Sequence, residues 1–130
     1  TVAGGKYPHL CRFVQHLHAG LDHSLRIVSV ERDIEASIRS LQNRSEKHRG
    51  QWFAVDDEAC EVLQRSLRDH RDNFIASHPE VPVFKVEFAE LVTHPEQVVR
   101  NLIEFLGITP TPDEIQSAIE HVNPELRKFG

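Results

Sequence analysis

The feature that most constrains the fold of this 130-residue chain is an abrupt change of hydrophobic period between residues 26 and 41. Arg26-Ile27-Val28-Ser29-Val30 is a short β-branched run bounded by charge, the pattern of a strand buried on most sides near a sheet centre. Just beyond it, Ile34, Ile38 and Leu41 recur at the i, i+4, i+7 spacing of an amphipathic helix that ends around residues 47–50. A strand that passes almost directly into a helix is the half-unit of a parallel α/β fold, because antiparallel neighbours need only a short hairpin.

The rest of the chain completes that unit. Residues 4–8 form a loop by composition, and Leu10, Phe13, Val14 and Leu17 then predict one short helix stopped by Gly20. Val55, Ala59, Val62, Leu63, Leu67, Phe74 and Ile75 keep a helical period to about residue 77, with His70 on or near the same stripe as a hydrogen-bonded core residue. His78-Pro79-Glu80 and Pro82 break the chain before an alternating, β-rich run over residues 83–88. Strand, helical crossover and strand make a βαβ unit with a parallel pairing. Thr93-His94-Pro95-Glu96 predicts a capping box opening a helix that Gly107 ends, and Thr111-Pro112-Asp113-Glu114 predicts another opening a last helix to about His121. The expected fold class is α/β, a partial parallel sheet with flanking helices, in a single domain over residues 1–130.

Composition removes several function classes. A formal charge of −5 and a sequence pI near 6.0 argue against a broad footprint on nucleic acid or an anionic membrane, so a bound phosphate must be met locally. Two cysteines, Cys11 and Cys60, without a CxxC spacing support neither a disulfide framework nor a zinc ribbon and point to a reducing, cytoplasmic setting. No apolar run is long enough for a membrane span or an export signal.

Three residues stand out as a phosphate clamp. Arg32 follows the first strand, where the carboxyl end of a parallel strand opens onto the ligand crevice of an α/β sheet. Ser40 and Arg44 are four apart on the next helix and share a face offset from its Ile34, Ile38, Leu41 stripe. Two guanidinium forks and a hydroxyl suit a dianionic phosphate. The bland alternative pairs Arg32 with Glu31, Asp33 or Glu35 and leaves Ser40 and Arg44 as solvated helix-surface residues.

The run Val28-Ser29-Val30-Glu31-Arg32-Asp33, with Ser40 eight positions after Arg32, resembles the 3′-phosphate motif of the sulfotransferase family. Lys6-Tyr7-Pro8 followed by Leu10 resembles the Lys-Asp-Pro segment of the tyrosylprotein-sulfotransferase-like and bacterial branches, and residues 86–96 resemble their late strand and helix opening. Asn123-Pro124-Glu125-Leu126-Arg127 is similar to their ending. The resemblance implies a P-loop-like sulfotransferase fold without its N-terminal donor-loop unit, so that the chain corresponds to the core and C-terminal part. It implies transfer of a sulfuryl group from 3′-phosphoadenosine 5′-phosphosulfate to a hydroxyl or amine acceptor. Arg32, Ser40 and Arg44 would hold the 3′-phosphate, Lys6 would contact the sulfuryl group, and His9 is the nearby candidate for general base. Where the family's late strand carries a Tyr-Glu pair this chain has Phe88-Ala89, which removes a polar contact but leaves a ring to pack near the nucleotide. A reading of a different class is a non-catalytic interaction module that retains the fold.

Nine histidines raise a metal-responsive alternative, with Cys11, His16, His18 and His23 close in sequence. Alternating His16 and His18 on one helix face different sides and suit a single ion poorly, so no metal ligand is assigned. Trp52 and Phe53 are expected to cover the core, and Arg127 and Lys128 to form a frayed basic tail.

Overall fold

A computed structural model describes residues 4–5, 8–21, 24–50 and 56–122. The chain divides into two compact units, each assembled from separate stretches of sequence.

The helical unit takes residues 8–25 and Asp33–Val81. A 3-10 helix, Pro8–Arg12, is followed by helix α1, Val14–Gly20, and both pack against the long helix α3, Asp57–Ser77, as does α2, Ile34–Lys47. The single helix expected over residues 10–20 is therefore two pieces with a turn at Phe13. The tighter 3-10 winding shifts the phase of the apolar stripe. Phe13 and Leu17 end up 53% and 37% exposed, while His18 is buried.

Helix α2 starts as expected because Asp33 caps it, its carboxylate accepting from the Ala36 N–H at 3.0 Å, and Ile38 supplies its buried side chain. Asp33→Ala should cost about 1 kcal/mol, read as a lowered urea midpoint, and Asp33→Asn should keep most of it. Asp56 caps α3 in the same way through the Ala59 N–H at 2.7 Å. The buried line of α3 is Cys60, Leu67 and Phe74, each seven residues from the next. Val62 and His70 are exposed, so His70 is not the core residue expected from the stripe. The stripe is centred on Cys60, a small side chain that pattern reading undervalues. Its thiol donates to the Ser45 hydroxyl of α2 at 3.7 Å. Across the same helix pair Gln42 donates to the Asp57 carbonyl, and Arg65 bridges Glu35 at 2.7 Å and Glu61 at 3.0 Å. These ion pairs are exposed and add little stability.

The strand unit takes Arg26–Arg32 and residues 82–122. Strands β1, Ile27–Glu31, and β2, Val83–Glu87, pair in parallel from Ile27↔Val83 to Glu31↔Glu87, which bears out the parallel α/β expectation. Alternation puts Val28, Val30, Phe84 and Val86 on one face. Helix α5, Pro95–Leu106, covers the β2 half of that face, with the Phe84 and Phe105 rings 5.4 Å apart and Val86, Val98 and Val99 buried. Val28 and Val30 remain 39% and 51% exposed. Among the described residues the sheet has two strands, so β1 is an edge and not the central, mostly buried strand its composition suggested.

Phe88, read as the end of the second strand, instead opens a short helix α4, Phe88–Thr93. That helix changes the role of Thr93: its hydroxyl donates back to the Ala89 carbonyl at 2.7 Å and makes no cap on α5, so the first expected capping box is not formed. Pro95 still sits in the first turn of α5, and Gly107 ends it at φ 67°, in the left-handed region where a Cβ is costly. Arg26 donates to the Phe105 carbonyl at 2.9 Å, placing a cation at the negative end of α5 and tying it to the start of β1. The second capping box is present. Thr111 accepts from the Glu114 N–H, and Glu114 accepts from the Thr111 N–H, at the start of α6, Pro112–His121. That backbone bond holds the Glu114 carboxyl below the usual carboxylate range.

Candidate functional site

The two parallel strands end in register at Glu31 and Glu87, so the residues that follow, Arg32 and Phe88, leave the sheet side by side at its carboxyl edge. The Arg32 guanidinium carbon lies over the Phe88 ring, 4.8 Å from its centroid. Such packing fixes a guanidinium in position without consuming its in-plane N–H donors, and it lowers the entropy lost when the group grips an anion. Both residues are half-buried. The local cause is the strand-to-helix switch on each side: Asp33 caps α2 immediately after Arg32, and α4 begins at Phe88.

The other expected clamp residues belong to the helical unit. Ser40 and Arg44 lie one turn apart on α2, Ser40 half-buried and Arg44 exposed, while Ile38 is the buried residue, as the offset-face reading requires. Arg44 and Lys47 also fall in the last turn of α2, where positive charge suits the helix dipole. His9 sits in the 3-10 helix Pro8–Arg12 and is half-buried. Lys6 lies outside the described residues, as do Trp52, Phe53, Arg127 and Lys128. Cys11 is half-buried, and burial pushes its thiol up, which disfavours the reactive thiolate. No described helix is long and apolar enough to cross a membrane.

Sequence reasoning missed the platform under Arg32, because it placed Phe88 within the second strand and did not pair it with the cation. The available signal was positional. Arg32 and Phe88 each follow a β-rich run directly, so parallel pairing in register brings them together.

The ring-seated Arg32 stands at the carboxyl edge of a parallel pair, the edge where open α/β sheets place their ligand crevice. The chain matches the sequence profile described as the sulfotransferase family over residues 2–113, and it belongs to that family. Neither the curated proteins nor the solved structures gave a significant match.

Proposed function

We propose that residues 1–130 act as one sulfotransferase-type domain that binds a 3′-phosphorylated adenosine nucleotide and takes part in sulfuryl transfer from 3′-phosphoadenosine 5′-phosphosulfate. The observation that carries this reading is the Arg32 guanidinium seated over Phe88 at the carboxyl end of the parallel pair, within the segment that matches the family. In this reading Arg32, Ser40 and Arg44 grip the 3′-phosphate through charge-assisted and hydroxyl hydrogen bonds, remote from the reacting sulfur. They position the donor and take no part in the bond changes. Phe88 holds the Arg32 fork and stands where the base of a nucleotide would find an apolar surface.

The transfer itself forms a bond from the acceptor oxygen or nitrogen to sulfur and breaks the bond from sulfur to the 5′-phosphate oxygen. Adenosine 3′,5′-bisphosphate leaves, and the acceptor proton passes to a general base, for which His9 is the candidate. Lys6 would stabilise charge on the sulfuryl oxygens, as an ammonium does in phosphoryl transfer. The proposed partners are therefore the nucleotide donor and a hydroxyl or amine acceptor, in a cytoplasmic setting.

Calorimetric titration of the chain separates this from its alternative. Adenosine 3′,5′-bisphosphate should bind at least about tenfold more tightly than adenosine 5′-monophosphate, the minimum expected from a set of charge-assisted bonds to the 3′-phosphate. Equal affinity for the two would favour a non-catalytic module on the same fold.

A further inference from the structure

A second cluster of chemically capable side chains lies wholly within the helical unit. His18, on α1, is buried; His78 and Glu80 lie just past the C-terminus of α3. One ligand atom from each residue lies within 4.8 Å of the others, and His18 Nε2 stands 3.4 Å from Glu80 Oε1. That separation is close to the edge of a tetrahedron around an ion bonded to nitrogen and oxygen, about 3.3 Å for bonds near 2.0–2.1 Å.

The surroundings hold these groups in a form suited to a metal. A carbonyl oxygen can only accept, so the 3.0 Å contact between His78 Nδ1 and the Phe74 carbonyl places a proton on Nδ1 and the lone pair on Nε2. Metal-bound imidazoles are oriented by this kind of outer contact. The His78 ring is also stacked on Phe74, with centroids 4.1 Å apart and planes at 16°, and the His18 ring meets both edge-on at 5.4 and 6.0 Å. Rotation of either imidazole is thereby restricted. His78 and Glu80 are held together by a four-residue turn, closed by the Val81 N–H donating to the His78 carbonyl at 3.0 Å, with Pro79 at its second position. Glu80 is exposed on that turn, so its carboxylate can close the remaining distance and a water or other ligand can reach the fourth position.

We propose that His18, His78 and Glu80 form a binding site for one divalent transition-metal ion of the zinc class. Two imidazoles and a carboxylate suit Zn2+ or Co2+ better than the hard, all-oxygen demands of Mg2+ or Ca2+. The ion clips α1 to the far end of α3 across sixty residues of sequence, and because it binds the folded form it stabilises the unit. This site shares no residue with the proposed nucleotide clamp.

The test is a titration of the chelator-stripped chain with Co2+ followed by displacement with Zn2+. One equivalent of Co2+ should bind and give visible absorption bands of low-symmetry coordination, Zn2+ should abolish them, and saturating Zn2+ should raise the thermal midpoint. Glu80→Ala, in an exposed turn, should weaken binding at least about tenfold, as should His78→Ala, since loss of even an outer-shell partner costs that much. His16→Ala, on the exposed side of α1, should leave it unchanged. Absence of stoichiometric binding overturns the proposal. So does binding that Glu80→Ala leaves intact, which would place the ion on other histidines. If His78→Ala fails to fold, Glu80→Ala decides alone.

Discussion

Phe74→Ala should be the most damaging single substitution in the helical unit, lowering its stability by about 3–5 kcal/mol, the range for removing a buried aromatic ring. Phe74 is only 8% exposed and occupies the last position of the Cys60, Leu67, Phe74 line on α3. Its ring is also the surface on which His78 stacks and against which His18 packs edge-on, so its loss opens a cavity and releases two imidazoles together. Phe74→Leu should recover most of the burial but not the ring stacking, which contributes about 0.5–1.5 kcal/mol beyond area. Urea unfolding followed by circular dichroism measures both. A midpoint for Phe74→Ala within error of the parent would mean that α3 is not anchored at its C-terminal end as described.

For Arg32→Ala, affinity for adenosine 3′,5′-bisphosphate should fall about 10- to 100-fold, the equivalent of losing hydrogen bonds to a charged group worth about 1.5–3 kcal/mol. Stability should change little, because the side chain is half-buried and its contact with Phe88 is a cation–π pair worth about 0.5–1 kcal/mol at such sites. Arg32→Lys should retain the charge yet lose the planar fork and recover only part of the binding. Phe88→Ala should fall between parent and Arg32→Ala, because it removes the platform and spares the cation. Undiminished affinity in Arg32→Ala would remove Arg32 from the proposed clamp.

Much of this was legible in the residues because it depends on local rules. The parallel pairing followed from two β-rich runs separated by helical periods, and the Thr111 capping box and the Gly107 stop from the residue types at those positions. Failures came where a neighbour in space outranked a neighbour in sequence. Val28 and Val30 carry a core-like composition, yet α5 reaches only the β2 half of their face. Thr93 has the right spacing for a cap, but α4 binds its hydroxyl first. The short 3-10 turn before α1 moved His18 into the interior in place of Leu17. For the proposed clamp, Arg32, Ser40 and Arg44 were named from spacing, whereas the packing of Phe88 against Arg32 required strand register. The His18, His78 and Glu80 grouping was illegible: two of its members read as a chain break, and the third was judged against His16, its neighbour along the helix.

The interleaved path of the chain has a practical outcome. It leaves the helical unit at Leu25 and re-enters at Asp33, and returns to the strand unit at Pro82, so neither unit is one continuous piece of polypeptide. A truncation anywhere between residues 33 and 81 severs β1 from β2 in the translated product and deprives the remaining helices of a partner at the same stroke. Recombinant subfragments, split reporters and chimeras with related proteins should therefore exchange residues 8–122 as one cassette.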